Sequence, residues 1–115
     1  MPTHDAMTLA ALAAALDAAN VRQQVAATNI ANANVAGFTP LAASFSARIE
    51  AGQGSSANLQ VTLTPQLDAN GIPQAVRIDD EMARIAQNAL HYQALVKGVN
   101  HTLSTLATAV SEGKK

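Results

Sequence analysis

The sequence predicts a mainly α protein. Two long terminal helices form a coiled-coil-like pair, and an irregular middle segment between them carries a short β-hairpin. Three observations lead there. The last third of the chain holds an unbroken apolar stripe at four-three spacing. The first third has no internal glycine or proline after Pro2. All the remaining glycines and prolines except Gly98 and Gly113 lie in between. The 115 residues allow one domain, read as an N-terminal helix over 7–34, a loop or hairpin over 35–77 and a C-terminal helix over 79–111.

The N-terminal segment is rich in Ala, Leu and Gln, residues that favour helix. Leu9, Leu12, Leu16, Ala19, Ala26, Ile30 and Ala33 fall at alternating three- and four-residue steps, and only Gln23 in that series is polar. Thr8 or Asp5 is the candidate cap. Asn32, Asn34 and Gly37 supply stop signals, and Pro40 prevents continuation.

In the middle segment, Leu59, Val61 and Leu63 alternate with Gln60 and Thr62, a strand signal with one apolar face. Asp68-Ala69-Asn70-Gly71 reads as a turn, with Gln74 to Ile78 as the returning strand. The outcome is a small hairpin or a partly ordered loop. A two-stranded hairpin alone is marginal in water, so it needs a partner surface.

The C-terminal segment carries the strongest signal. Ile78, Met82, Ile85, Ala89, Tyr92, Val96, Val99, Leu103, Leu106 and Val110 follow one another at strict four-three spacing, and all ten are non-polar. Such a seam belongs to a helix buried along one narrow stripe against another long helix. Asp79, Asp80 and Glu81 stand where the helix dipole favours negative charge; Gly113, Lys114 and Lys115 stand where glycine stops a helix and cations suit it. The helix is expected to be roughly 50 Å long. Gly98 either permits close helix approach or is merely tolerated, and the pattern favours tolerance. Two such helices pair as an antiparallel hairpin and then associate, or join an intermolecular bundle.

Composition narrows the function classes. Hydrophobic residues make up 49% of the chain but aromatics only 3%. Much of the apolar share is alanine, which packs closely yet buries little area. That suits thin helices that find partners on another chain. The formal net charge of −1 offers no basic face for nucleic acid. No apolar run is long enough for a membrane span, and Met1 to Asp5 lacks the basic and apolar parts of a cleavable secretory signal. The absence of cysteine excludes disulfides and thiolate metal sites. His91 and His101 lie off the stripe, ten residues apart, and read as solvated helical histidines. The acidic triplet at 79–81 reads as helix-start electrostatics. The glycine- and serine-containing 52–56 stretch lacks a phosphate loop's lysine and reads as a flexible connection. No catalytic motif occurs, so catalytic, cofactor and metal residues are all expected to be absent.

Two segments together resemble a known family. Arg22 to Phe38 contains Asn29-Ile30-Ala31-Asn32 followed by Gly37-Phe38. It is similar to the N-terminal signature of flagellar axial proteins (rod, hook and hook-associated proteins). Asp80 to Leu95, with Glu81, Met82, Ala83, Asn88, Tyr92 and Gln93, resembles the C-terminal helix of the B-type basal-body rod proteins of the proximal rod, as does the ending from Leu103 to Val110. The order, separation and chain length agree with that family, and the resemblance covers about two-thirds of the chain. One departure stands before Gly37, where Val35-Ala36 replaces the family's usual Thr-Pro.

The resemblance implies a structural subunit of the bacterial flagellar basal body, exported unfolded by the type III apparatus without a cleavable signal. It would self-assemble in the periplasmic rod and be required for motility. Its partners would be copies of itself, other rod and basal-body proteins and the export apparatus. The monomer would be poorly ordered and fold on packing. The expected interface comprises Leu9, Leu12, Leu16, Asn29, Ile30, Asn32, Gly37 and Phe38 from the first segment, and Met82, Ile85, Tyr92, Val96, Val99, Leu103 and Leu106 from the second. Asn29 and Asn32 either cap the helix or bond to neighbouring subunits. The alternative from another class is a small helical binding module, such as an export chaperone or cytosolic adaptor, in which these apolar residues form the core of a stable fold.

Overall fold

A computed structural model describes residues 4–49 and 57–113, with side chains described for 8–46 and 60–113. The element order is α1 (His4–Ala31), β1 (Leu41–Ile49), β2 (Ala57–Pro65) and α2 (Ile78–Gly113). The fold class is the expected one: two long helices flank one antiparallel hairpin. The 52–56 stretch lies outside the described residues.

The helices run antiparallel. Gly98 of α2 lies against Leu12 of α1. Further along, Asn88 Nδ2 donates to the Ala19 carbonyl at 2.8 Å and to Gln23 Oε1 at 3.2 Å. Residue numbers rise along one helix as they fall along the other, giving an elongated body of 65 × 31 × 20 Å. α1 begins at His4, upstream of both Asp5 and Thr8, so neither stands at its start. It ends at Ala31, where Asn32 Nδ2 bonds back to the Thr28 carbonyl at 2.8 Å. The turn that follows uses Gly37 at φ +79°, a left-handed conformation open to a residue without Cβ. Backbone bonds from Val35 to Asn32 and from Phe38 to Val35 close it without the Thr-Pro pair.

The hairpin differs from the expected pairing. β2 contains the Leu59–Leu63 signal, but its partner is upstream: Leu41 pairs with Pro65, Phe45 with Val61 and Ile49 with Ala57. Residues 74–77 form no strand, and Ile78 already begins α2. The turn at 68–71 is real, with Gly71 at φ +77° and Asp68 Oδ1 accepting from the backbone N–H groups of Asn70 and Ile72. It closes only the single Leu67–Pro73 bridge. The long pairing wins because Leu41, Ala43 and Phe45 alternate with Ala42, Ser44 and Ser46, giving β1 an apolar face that matches that of β2. That face rests on α1, where the Arg22 guanidinium sits 4.5 Å from the Phe45 ring centroid.

The core is thin. Among the described residues, the buried hydrophobic side chains are Ala18, Ala19 and Ala26, and the largest fully buried side chains are Glu81, Asn29 and Pro40. Burying alanines removes little apolar area from water, so each contact contributes little.

Candidate assembly interface

The root of the hairpin is held by polar groups. Asn29 is fully buried, and its amide reads the backbone of Leu41 on both sides: Nδ2 donates to the Leu41 carbonyl at 2.9 Å, and the Leu41 N–H donates to Oδ1 at 3.0 Å. Gln66 Nε2 donates to the same carbonyl at 3.1 Å and to Glu81 Oε1 at 3.0 Å. Arg84 donates to that carboxylate oxygen at 2.7 Å. Glu81 is 2% exposed, so this network joins α1, β1, the end of β2 and α2 at one buried point. Asn29 therefore meets the start of β1 rather than capping α1, and Asn32 bonds to its own helix. Glu81 holds a partnered carboxylate inside the fold, where the sequence suggested only a charge at a helix end.

Beside this joint lies a cleft of about 510 Å³ lined by Arg22, Ala26, Gln66, Arg84, Asn88 and His91, among others. Its charged groups are already engaged, Arg22 over Phe45 and Arg84 on Glu81. Among the described residues no group of three or more His, Cys, Asp or Glu could hold a metal ion, and no helix is long and apolar enough to cross a membrane.

The predicted C-terminal stripe divides in two. The residues of α2 that are buried or half-buried on the α1 side are Glu81, Ile85, Asn88, Leu95, Val99, Thr102 and Leu106, themselves at four-three spacing once Tyr92 is included. Ile85, Val99 and Leu106 of the predicted seam are thus half-buried there, with Val96 half-buried beside them. The other half faces outward: Met82 is 59% exposed, Leu103 47% and Val110 60%, with Ile78, Ala89 and Tyr92 also open. The apolar stripe is therefore not centred on α1. Its exposed half continues over most of a 36-residue helix.

In α1, Leu9, Leu12, Leu16 and Ile30 are half-buried, as is Phe38 beyond it, while Gly37 is exposed in its turn. Sequence reasoning did not find the inward polar set, Asn88 and Thr102. The one available signal was that these residues repeat the four-three spacing one position before the apolar series. It also did not single out Leu90, 70% exposed on α2.

Two relatives are similar over nearly the whole chain. The flagellar basal body rod protein FlgB of Bacillus subtilis (strain 168) is 28% identical over 123 aligned positions, covering 93% of this chain and 95% of that protein. The flagellar basal body rod protein FlgB of Proteus mirabilis (strain HI4320) is 29% identical over 123 aligned positions, covering 86% of this chain and 90% of that protein. No protein-family model and no solved structure matches the chain.

Proposed function

We infer that this chain, which belongs to the FlgB family of flagellar basal body rod proteins, is a structural subunit of the bacterial flagellar basal-body rod. It builds the proximal, periplasmic part of the rod by packing the exposed stripe of α2 against copies of itself and against other basal-body proteins. It reaches that place through the type III export apparatus, and swimming depends on it. Leu9, Leu12, Leu16 and Ile30 line the helix pair that presents the stripe, and the Asn29 joint and the Gly37-Phe38 turn fix the hairpin at its end.

One observation carries this reading. The described fold buries no large apolar side chain completely, yet it leaves Met82, Leu103 and Val110 open along one helix. A subunit whose apolar surface is satisfied only in an assembly has this distribution.

The test is deletion of the gene in the source bacterium, followed by complementation with the native chain or with Leu103→Asp. The native chain is expected to restore swimming and rods visible by electron microscopy, and Leu103→Asp to restore neither while being made at normal level. Normal basal bodies in the deletion strain would overturn the rod role. Normal rods built from Leu103→Asp would overturn the stripe as the surface that builds them.

A further inference from the structure

The open face of α2 has a pattern of its own. Starting at Met82, the outward residues Ala86, Ala89, Gln93, Val96, Asn100, Leu103, Ala107 and Val110 again alternate by four and three, and apart from the half-buried Val96 all are exposed. This second seam lies roughly a third of a turn from the α1 contact. It holds no charged residue across its whole length, and its two polar members, Gln93 and Asn100, are uncharged amides spaced one heptad apart. Resting on the assembly reading above, we propose that this seam takes α2 of a second copy of the chain, parallel and in register, with Gln93 facing Gln93 and Asn100 facing Asn100 across the contact.

Three features favour that occupant and that direction. Buried amides at one class of seam position are tolerated when each meets an identical amide, and they fix register at a cost in stability. A parallel pair also places the residues flanking the seam in a fixed relation, each meeting the partner residue five positions further on. Ile85 then covers the Leu90 of the other copy, which explains a leucine that is 70% exposed in the single chain. Tyr92 meets Lys97 of the other copy as an aromatic-cation contact, and no flanking pair brings charge against charge. An antiparallel pair would instead set the two Lys97 ammonium groups close together at its centre and leave Leu90 opposite Ser104. The charge pattern selects the parallel arrangement.

The chain contains no cysteine, so single introduced thiols report the contact without background. Full-length chains carrying Val96→Cys on the seam, or Ala94→Cys on the opposite, exposed side of α2 as control, are treated with a short bis-maleimide, which adds one cysteine thiol across each of its two double bonds. Val96→Cys is expected to give a covalent dimer well above the Ala94→Cys level. An equal mixture of Met82→Cys and Val110→Cys chains is expected to give the two self-linked products. A dominant mixed product would mean antiparallel packing and would overturn the proposal, as would Val96→Cys falling to the control level. The two readings fail separately. Crosslinks at the control level with Leu103→Asp still abolishing rods would mean that a different protein covers the stripe, leaving the rod role intact. Strong Val96→Cys dimers with normal basal bodies in the deletion strain would remove the rod role and leave the contact.

Discussion

The two faces of α2 invert the usual arrangement. Toward α1 the helix presents Glu81, Asn88 and Thr102 among its most buried residues, and each of the first two has its hydrogen bonds filled inside the chain. Away from α1 it presents Met82, Leu103 and Val110, all open. Burial of polar groups is tolerated only when they are paired, and here the pairing fixes how the hairpin and the helices meet. The inward face gains definition from directional bonds and little from apolar area. The outward face carries the larger apolar potential. On the proposed rod role, the inward face sets the shape of the chain and the outward face carries its affinity, so substitutions on the two should separate folding from assembly.

Val99 lies where the two faces meet, half-buried beside α1 and within the apolar series. Val99→Asp should therefore damage both. A carboxylate placed in this half-buried apolar position is expected to cost the helix pair about 3 kcal/mol, read as a lowered urea midpoint by far-UV circular dichroism, together with loss of rods in cells. Unchanged unfolding would mean that the inward seam contributes nothing at this position.

The joint comes next in size. Asn29→Ala strips the acceptor from the Leu41 N–H, while the Leu41 carbonyl keeps Gln66 Nε2. A buried donor left alone costs roughly 1–3 kcal/mol. Hydrogen exchange should show the Leu41 amide losing protection while the middle of α2 keeps its own. Glu81→Gln retains the shape and an acceptor for Gln66 but removes the charge that holds Arg84, so its cost should be smaller than that of Asn29→Ala. Arg84 is half exposed and water can solvate it once released. Equal losses would show that the ion pair holds the hairpin as strongly as the amide clamp does.

Leu103→Asp marks the other side of the comparison. Its side chain is 47% exposed, so the single chain should unfold within about 0.5 kcal/mol of the native one. Assembly alone should fail. Loss of stability as large as that of Val99→Asp would erase the distinction between the faces.

Much of this was legible in the residues, and the misses have physical causes. Helix positions follow from glycine and proline placement, so α2 begins at Ile78, one residue from its expected start. The stripe was visible as a period, but a period does not say which side of it meets a neighbour in the same chain. Asn88 and Thr102 settle that, and polar residues carry no weight in an apolar pattern. Strand pairing failed at Gln74–Ile78 because a good turn at 68–71 suggests a local return. The matching alternation of Leu41, Ala43 and Phe45 lies across the 50–56 connection and was read as loop. The Asn29 clamp could not be read at all, since it joins residues twelve positions apart through a side chain equally suited to capping a helix.

Gly98 provides the smallest and most finely balanced prediction. The sequence favoured mere tolerance, yet a methyl group built there would stand 3.3 Å from Leu12 Cδ2 and 3.6 Å from Cδ1, so the position is one of close helix approach. Gly98→Ala gains about 1 kcal/mol of helix propensity and must displace a leucine tip by a few tenths of an ångström. The two nearly cancel, and the single substitution should shift the unfolding free energy by less than about 1 kcal/mol. Shortening the neighbour resolves the balance. In a Leu12→Ala background the new methyl group meets open space, so Gly98→Ala should stabilise that variant by more than it stabilises the native chain. The coupling between the two sites reports whether the helices touch here. Strict additivity would mean that α1 and α2 stand further apart at this level than the geometry places them.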